Sequence, residues 1–137
     1  MDENISGAIS GALNPDSEEA EKHAEQYYES VRNMKTDYIK IAENTGMSEQ
    51  DIVDIKNYLF VEKHNLFDGY KRFDLSYHIA QSWQRLIDGK KIKEQDIIML
   101  KHELIEMELV KSGMTQNQAH INATKIYNYH EATERGI

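Results

Sequence analysis

A histidine and two glutamates recur at helical spacing within residues 99–109, a segment that is otherwise largely apolar. His102, Glu103 and Glu106 form a His-Glu-x-x-Glu pattern there. Residues four apart lie one turn apart on a helix, so His102 and Glu106 can point at the same atom. Zinc proteases use a related His-Glu-x-x-His pattern, in which both histidines bind the metal and the glutamate is a general base. The spacing therefore indicates metal binding or acid–base chemistry on one helix face.

A third candidate ligand comes from the next predicted helix. His120 lies there, and two histidines with one carboxylate suit zinc or another divalent cation. We therefore predict His102, Glu106 and His120 as metal ligands. Two alternatives stay open: a catalytic acid–base cluster without metal, and a hydrogen-bonded His–Glu pair with no chemistry. The protease pattern itself is incomplete, because a glutamate stands where that pattern has its second histidine.

The elements that must position these residues are predicted to be helices. Apolar residues recur three or four positions apart along most of the chain, with helix boundaries at capping residues and glycines. We predict an all-α fold, a compact bundle of about five helices with a loop around residues 65–73. The predicted helices cover residues 17–46, 48–64, 74–88, 94–111 and 115–132, with Thr115 and Gln118 forming a capping box. Apolar residues surround the fourth helix, so it should be buried on most sides.

One domain is the expected organisation for 137 residues. Residues 1–16 are predicted to be a flexible leader, residues 17–46 an acidic N-terminal helix, and residues 47–134 the remainder of the same helical domain. The absence of cysteine excludes disulfides and thiolate zinc ligands. No apolar run approaches the ~20 residues of a membrane span, and no secretory signal pattern opens the chain. We expect no membrane contact.

The net charge of −8 is unevenly distributed. Residues 1–46 hold ten acidic and four basic residues, whereas residues 63–93 hold three acidic and seven basic ones. Bases and aromatics alternate in that second segment, which suits stacking and phosphate contacts with single-stranded nucleic acid, so residues 63–93 are a candidate RNA contact. A helix-turn-helix-like segment at 41–59 presents mostly acids, and specific DNA binding is therefore not expected.

A family resemblance covers about residues 39–130. The segment 41–74, with IAQSWQRL, LKHELIEMELV and AHINATKIYNY, resembles a domain at the C-termini of bacteriophage head-morphogenesis (minor capsid) proteins and bacterial polymorphic toxins. Leu75-Ser76 stands where that family has Pro-Asp, and His78 stands where it has an acid. The matching positions are His64, Gly69, Arg72, Phe73, Asp74, Trp83, Arg85, His102, Glu103, Glu106, His120 and Tyr127.

The resemblance implies a phage- or toxin-associated module, either cytoplasmic or attached to a phage particle. One hypothesis is a hydrolytic effector acting on an anionic or polymeric substrate. In it Glu103 or Glu106 is the general base, His102 and His120 are acids or ligands, and Arg72 and Arg85 stabilise the substrate. The other hypothesis is a non-catalytic helical module. The expected partners are a capsid or portal protein or an immunity protein, with a homodimer through the tyrosines of the first helix.

Overall fold

The structure, a computed structural model, describes residues 17–137, so the leader predicted for residues 1–16 lies outside it. Within the described range the all-α prediction is confirmed. The α-helices are α1 (Glu18–Asn33), α2 (Asp37–Thr45), α3 (Glu49–Lys56), α4 (Tyr77–Asp88), α5 (Glu94–Lys111), α6 (Gln116–Ile126) and α7 (Tyr129–Arg135). A π-helical turn, Asn57–Val61, continues α3, and a short hairpin pairs β1 (His64–Leu66) with β2 (Gly69–Lys71).

The core is an aromatic and aliphatic cluster between α1, α2, α3, α4 and α5. Trp83 is fully buried at its centre and meets Phe60 edge-on, with ring centroids 5.1 Å apart. Phe60 in turn meets Tyr28 of α1 at 4.7 Å. The acidic N-terminal segment therefore shares its core with the helices that carry the candidate site.

The single helix predicted for residues 17–46 is two helices, α1 and α2, separated at residues 34–36. Lys56, which lies 22 residues beyond Met34 in the sequence, contacts both sides of this break. Its ammonium donates to the Met34 carbonyl and to the carboxylate of the buried Asp37, both at 2.9 Å. Met34 has an extended backbone conformation, and the Lys56 ammonium satisfies the carbonyl that the end of α1 leaves free. The apolar spacing continues through the break, so the pattern alone conceals it.

The helix predicted for residues 48–64 ends earlier, in the π-helical turn. There the Glu62 N–H donates to the Asn57 carbonyl at 2.8 Å, five residues back. Carbonyls at a helix end need other donors, and three side chains supply them. His64 Nε2 donates to the Tyr58 carbonyl, Arg32 Nε to that of Phe60 and Arg72 Nε to that of Val61. The turn is thus held by residues from α1 and from the hairpin.

The boundaries of the remaining helices agree with the predictions except at two places. α5 begins and ends as predicted, and the capping box of Thr115 and Gln118 opens α6. Ser76 caps α4 in place of the predicted Asp74, whose side chain lies 3.4 Å from Lys71 Nζ at the surface. The predicted fifth helix is interrupted after Ile126 and resumes as α7. The Tyr127 carbonyl, which lies at this interruption, contacts His102 in the candidate site.

Candidate metal centre

α5 and α6 pack side by side and bring His102, Glu106 and His120 together. His102 Nε2 lies 3.0 Å from Glu106 Oε1, and His120 Nδ1 lies 2.9 Å from the same oxygen. The two imidazole nitrogens are 3.3 Å apart. His102 and Glu106 are buried, whereas the His120 side chain is 55% exposed, so the cluster is open on the α6 side. These are the three predicted ligands, and the structure places all three in one cluster.

The break between α6 and α7 fixes the orientation of His102. In a continuous helix the Tyr127 carbonyl would accept from the Glu131 N–H, but that N–H donates to the Asn128 side chain instead. The freed carbonyl lies 3.0 Å from His102 Nδ1. Since a carbonyl only accepts, Nδ1 carries a hydrogen in this contact, and Nε2 is the ring nitrogen that faces Glu106. Metal-binding histidines typically donate from their other ring nitrogen to a carbonyl or carboxylate in this way, which fixes the ring.

Two further donors hold the other oxygen of Glu106. The hydroxyl of Tyr58, in the π-helical turn, donates to Oε2, and Gln116 Nε2 donates to it at 3.2 Å. Neither residue was predicted from the sequence. Tyr58 stands in the apolar run NYLFV and reads as a core aromatic, while Gln116 resembles an ordinary first-turn residue of α6. Their role depends on tertiary packing, and no local pattern signals it.

The separations among the three atoms fit a single small cation. In a tetrahedral site with bonds of ~2.0–2.1 Å, ligand atoms lie about 3.3 Å apart. The separations of 3.0, 2.9 and 3.3 Å let one ion contact Nε2 of His102, Oε1 of Glu106 and Nδ1 of His120 with only slight side-chain adjustment. Because the His120 side chain is exposed, water or a substrate could reach an ion held there from the α6 side.

The pKa values of the cluster reflect its hydrogen bonds. Desolvation by burial acts to raise the pKa of Glu106, but hydrogen bonds from His102, His120, Tyr58 and Gln116 outweigh it and hold the pKa far below its usual range. The hydrogen bond to Glu106 raises the pKa of His120 above its ordinary value. Glu106 is therefore ionised at neutral pH, and its negative charge favours the protonated form of His120.

Glu103 is a second buried carboxyl beside this cluster. It lines a pocket of about 460 Å³ together with Glu106, Gln116, His120 and Phe73. No residue within 17–137 donates a hydrogen bond to its carboxyl group. Burial, and next the negative charge of Glu106, raise its pKa well above the usual range. Two carboxyls one turn apart thus have pKa values shifted in opposite directions, an arrangement that separates an acid from a base.

The two arginines predicted to stabilise an anionic substrate have other contacts. Arg85 forms a bidentate pair with the buried Asp96, with both bonds at 2.8 Å, and also donates to Gln95. Arg72 caps the π-helical turn at Val61. Neither arginine lines the 460 Å³ pocket. Both roles are structural in this arrangement, and substrate stabilisation by these arginines stays a prediction.

The basic and aromatic segment 63–93 divides between core and surface. Trp83 and Tyr77 are buried, and Phe73 stacks on His64 with ring centroids 4.1 Å apart. Phe67 and Tyr70 of the hairpin are largely exposed. RNA contact through this segment stays a prediction. In the helix-turn-helix-like segment, Lys56 is buried against Asp37, so this base of α3 is directed into the protein.

Comparison with family models, curated protein sequences and solved structures finds no match for this chain. None of the helices in residues 17–137 has both the length and the apolar character of a membrane span. The geometry of the His–Glu–His cluster is therefore the main guide to function.

Proposed function

We propose that this chain is a helical hydrolase domain whose His102, Glu106 and His120 bind one divalent cation, with zinc the best fit. The convergence of these side chains around Glu106 Oε1 is the observation that carries the proposal. Two imidazoles favour zinc and related transition metals, whereas calcium and magnesium prefer sites made of oxygen ligands. Three protein ligands with one open position are typical of catalytic rather than structural zinc.

Glu103 supplies the acid–base chemistry in this proposal. A cation held by His102, Glu106 and His120 would lower the pKa of a bound water and polarise a carbonyl oxygen. The Glu103 carboxylate accepts a proton from the attacking water, whose oxygen bonds to the carbonyl carbon. Glu103 then returns the proton to the leaving nitrogen or oxygen as the bond to carbon breaks. Burial, and next the charge of Glu106, raise the pKa of Glu103, so this carboxyl holds a proton more readily than an ordinary glutamate does.

The pocket lining favours an uncharged scissile group. Asp74, Glu103 and Glu106 supply carboxyl groups, Tyr28 and Phe73 supply rings, and none of the lining residues is a lysine or arginine. Beyond the proposed cation and His120, an anionic phosphodiester would find carboxyl groups and no lysine or arginine in this pocket. We therefore propose an amide or ester bond, within a polymer, as the substrate class.

The resemblance to phage minor capsid and toxin C-terminal domains supports an effector that acts in the cytoplasm or from a phage particle. One observation favours the second candidate function, a non-catalytic interaction module. Phe67 and Tyr70 project from the hairpin into solvent, and exposed aromatics are enriched where proteins bind one another. A capsid or portal protein, an immunity protein or a second copy of this chain is the partner class for that surface.

Metal content tests the proposal first. The untagged protein, purified without chelator and dialysed against zinc, should hold one zinc ion per chain by elemental analysis. Glu106→Gln and His120→Ala should lose it. His130→Ala is the matched control, because His130 and Glu134 form an exposed His–Glu pair one turn apart, 3.4 Å from each other. Equal zinc in the wild-type and Glu106→Gln proteins would contradict the metal site.

Turnover tests the chemistry separately. The zinc-loaded protein is assayed against a fluorogenic ester, an unfolded polypeptide and single-stranded RNA. We expect cleavage of the ester or polypeptide, and Glu103→Gln should abolish it while zinc remains bound. Cleavage of RNA alone would contradict the proposed substrate class. Zinc binding without cleavage of any of these would instead favour the interaction module.

A further inference from the structure

Oε2 of Glu106, the carboxylate oxygen that does not face the two histidines, accepts two hydrogen bonds of its own. Tyr58 and Gln116 both donate to Oε2, whereas both histidines face Oε1. The two oxygens of one carboxylate therefore have different environments. One is engaged by neutral donors from the π-helical turn and α6, and the other faces the ring nitrogens.

We infer that Tyr58 is a positioning residue that makes Glu106 a one-oxygen metal ligand and so keeps a coordination position open. This inference rests on the proposed metal centre. A carboxylate can bind a cation through one oxygen or both, and two-oxygen binding fills a second position. A donor fixed at Oε2 keeps that oxygen occupied, so the ion is left with Oε1, two imidazoles and a position for water.

The π-helical turn explains why Tyr58 is rigid enough for this task. Its ring packs edge-on against His64 and Phe73, at 4.5 and 5.2 Å between centroids. Its main-chain carbonyl is free of the helix, because the Glu62 N–H donates to Asn57, and it accepts from His64 Nε2 at 2.8 Å. Both ends of Tyr58 are thereby fixed, and π-helical turns of this kind often occur at functional sites.

Cobalt(II) replaces zinc in such sites, and its visible spectrum reports the coordination number. The test compares cobalt-loaded wild-type protein with Tyr58→Phe, which removes only the hydroxyl. We expect a four-coordinate spectrum for the wild type and a weaker, five-coordinate spectrum for Tyr58→Phe, as Glu106 turns to bind through both oxygens. Loss of the Tyr58 hydroxyl, which holds the metal ligand Glu106, should also weaken zinc binding by ~10–100-fold. Gln116→Ala, which removes the other donor to Oε2, should shift the spectrum in the same direction.

Tyr129→Phe is the matched control. It removes a tyrosine hydroxyl that is bonded to Ser82 at 2.8 Å, away from the metal ligands. Its spectrum and zinc affinity should equal those of the wild type, which separates positioning from a general loss of stability. A wild-type spectrum for Tyr58→Phe would overturn the inference while leaving the metal centre intact. Failure of the wild type to bind cobalt or zinc would overturn both.

Discussion

His102 reaches the Tyr127 carbonyl at 3.0 Å through Nδ1, at the one place where α6 and α7 are interrupted. The interruption leaves the Tyr127 carbonyl free to accept a hydrogen bond, and His102 donates that bond. A continuous helix would occupy that carbonyl internally, and His102 would then lose the acceptor that orients Nε2 toward Glu106. A departure from regular helix geometry is therefore part of the site.

Asn128→Ala should weaken metal binding from outside the ligand set. Asn128 caps α7 by accepting from the Glu131 N–H at 3.0 Å. Without this cap, that N–H can return to the Tyr127 carbonyl and displace His102. We expect a loss of ~1 kcal/mol in stability and of ~10–100-fold in zinc affinity, measured by competition with a chromogenic chelator. Ser48→Ala, which removes the cap of α3, should lower stability alike but leave zinc affinity unchanged.

His120 should titrate above its ordinary pKa of 6.5 in the metal-free protein, because Glu106 accepts a hydrogen bond from it. Its protonated form stabilises the fold fully below pH 6.5, and this contribution is lost as pH rises through the folded pKa. Zinc competes with that proton, so zinc affinity should rise over the same interval. NMR of the imidazole protons gives the midpoint. Glu106→Gln should lower the His120 midpoint, whereas the control Glu134→Gln should leave it unchanged. A Glu106→Gln midpoint equal to that of the wild type would refute Glu106 as the cause of the raised pKa.

Replacing Glu103 with leucine should stabilise the metal-free protein. Glu103 is 8% exposed at the edge of the pocket, and no described residue donates to its carboxyl, so its burial costs up to ~1–3 kcal/mol. Its folded pKa lies above the ordinary 4.5, so wild-type stability falls as pH rises from 4.5 through the folded pKa. The free energy of unfolding gained by Glu103→Leu over the wild type should therefore be large at pH 8 and small at pH 4. Urea unfolding measures it, with the exposed Glu108→Leu on the same helix as the control.

Lys56→Met should be among the most destabilising single changes in this chain. It leaves the Asp37 carboxylate buried, with Trp83 Nε1 as its remaining side-chain donor, at 3.1 Å. Breaking a buried ion pair from one side typically costs ~3–5 kcal/mol. Denaturant unfolding should show a loss of this size, and Lys40→Met, at an exposed position of α2, should show almost none. A small loss of stability in Lys56→Met would mean that water solvates the Asp37 carboxylate in the variant.

Local sequence patterns were sufficient to predict the two helices that carry the candidate ligands. They were insufficient to predict the residues that surround and orient those ligands. The spacing of His102 and Glu106 on a helix, and the capping box that starts α6, depend on nearby residues, and both were predictable. The breaks after Asn33 and Ile126 were not, because each carbonyl they release pairs with a side chain more than twenty residues away. Tyr58 was concealed for the same reason, since its hydroxyl meets Glu106 48 residues later.

The order in which the centre forms follows from where its parts lie in the chain. The three candidate ligands fall within nineteen residues on two successive helices, whereas the Tyr58 hydroxyl joins them across 48 residues. Short-range contacts close faster than long-range ones. During folding we therefore expect the helical pair of α5 and α6 to gather the ligands early, with Glu106 still free to rotate. The coordination number would then become fixed only when α3 and its π-helical turn dock, as one of the last steps to the native state.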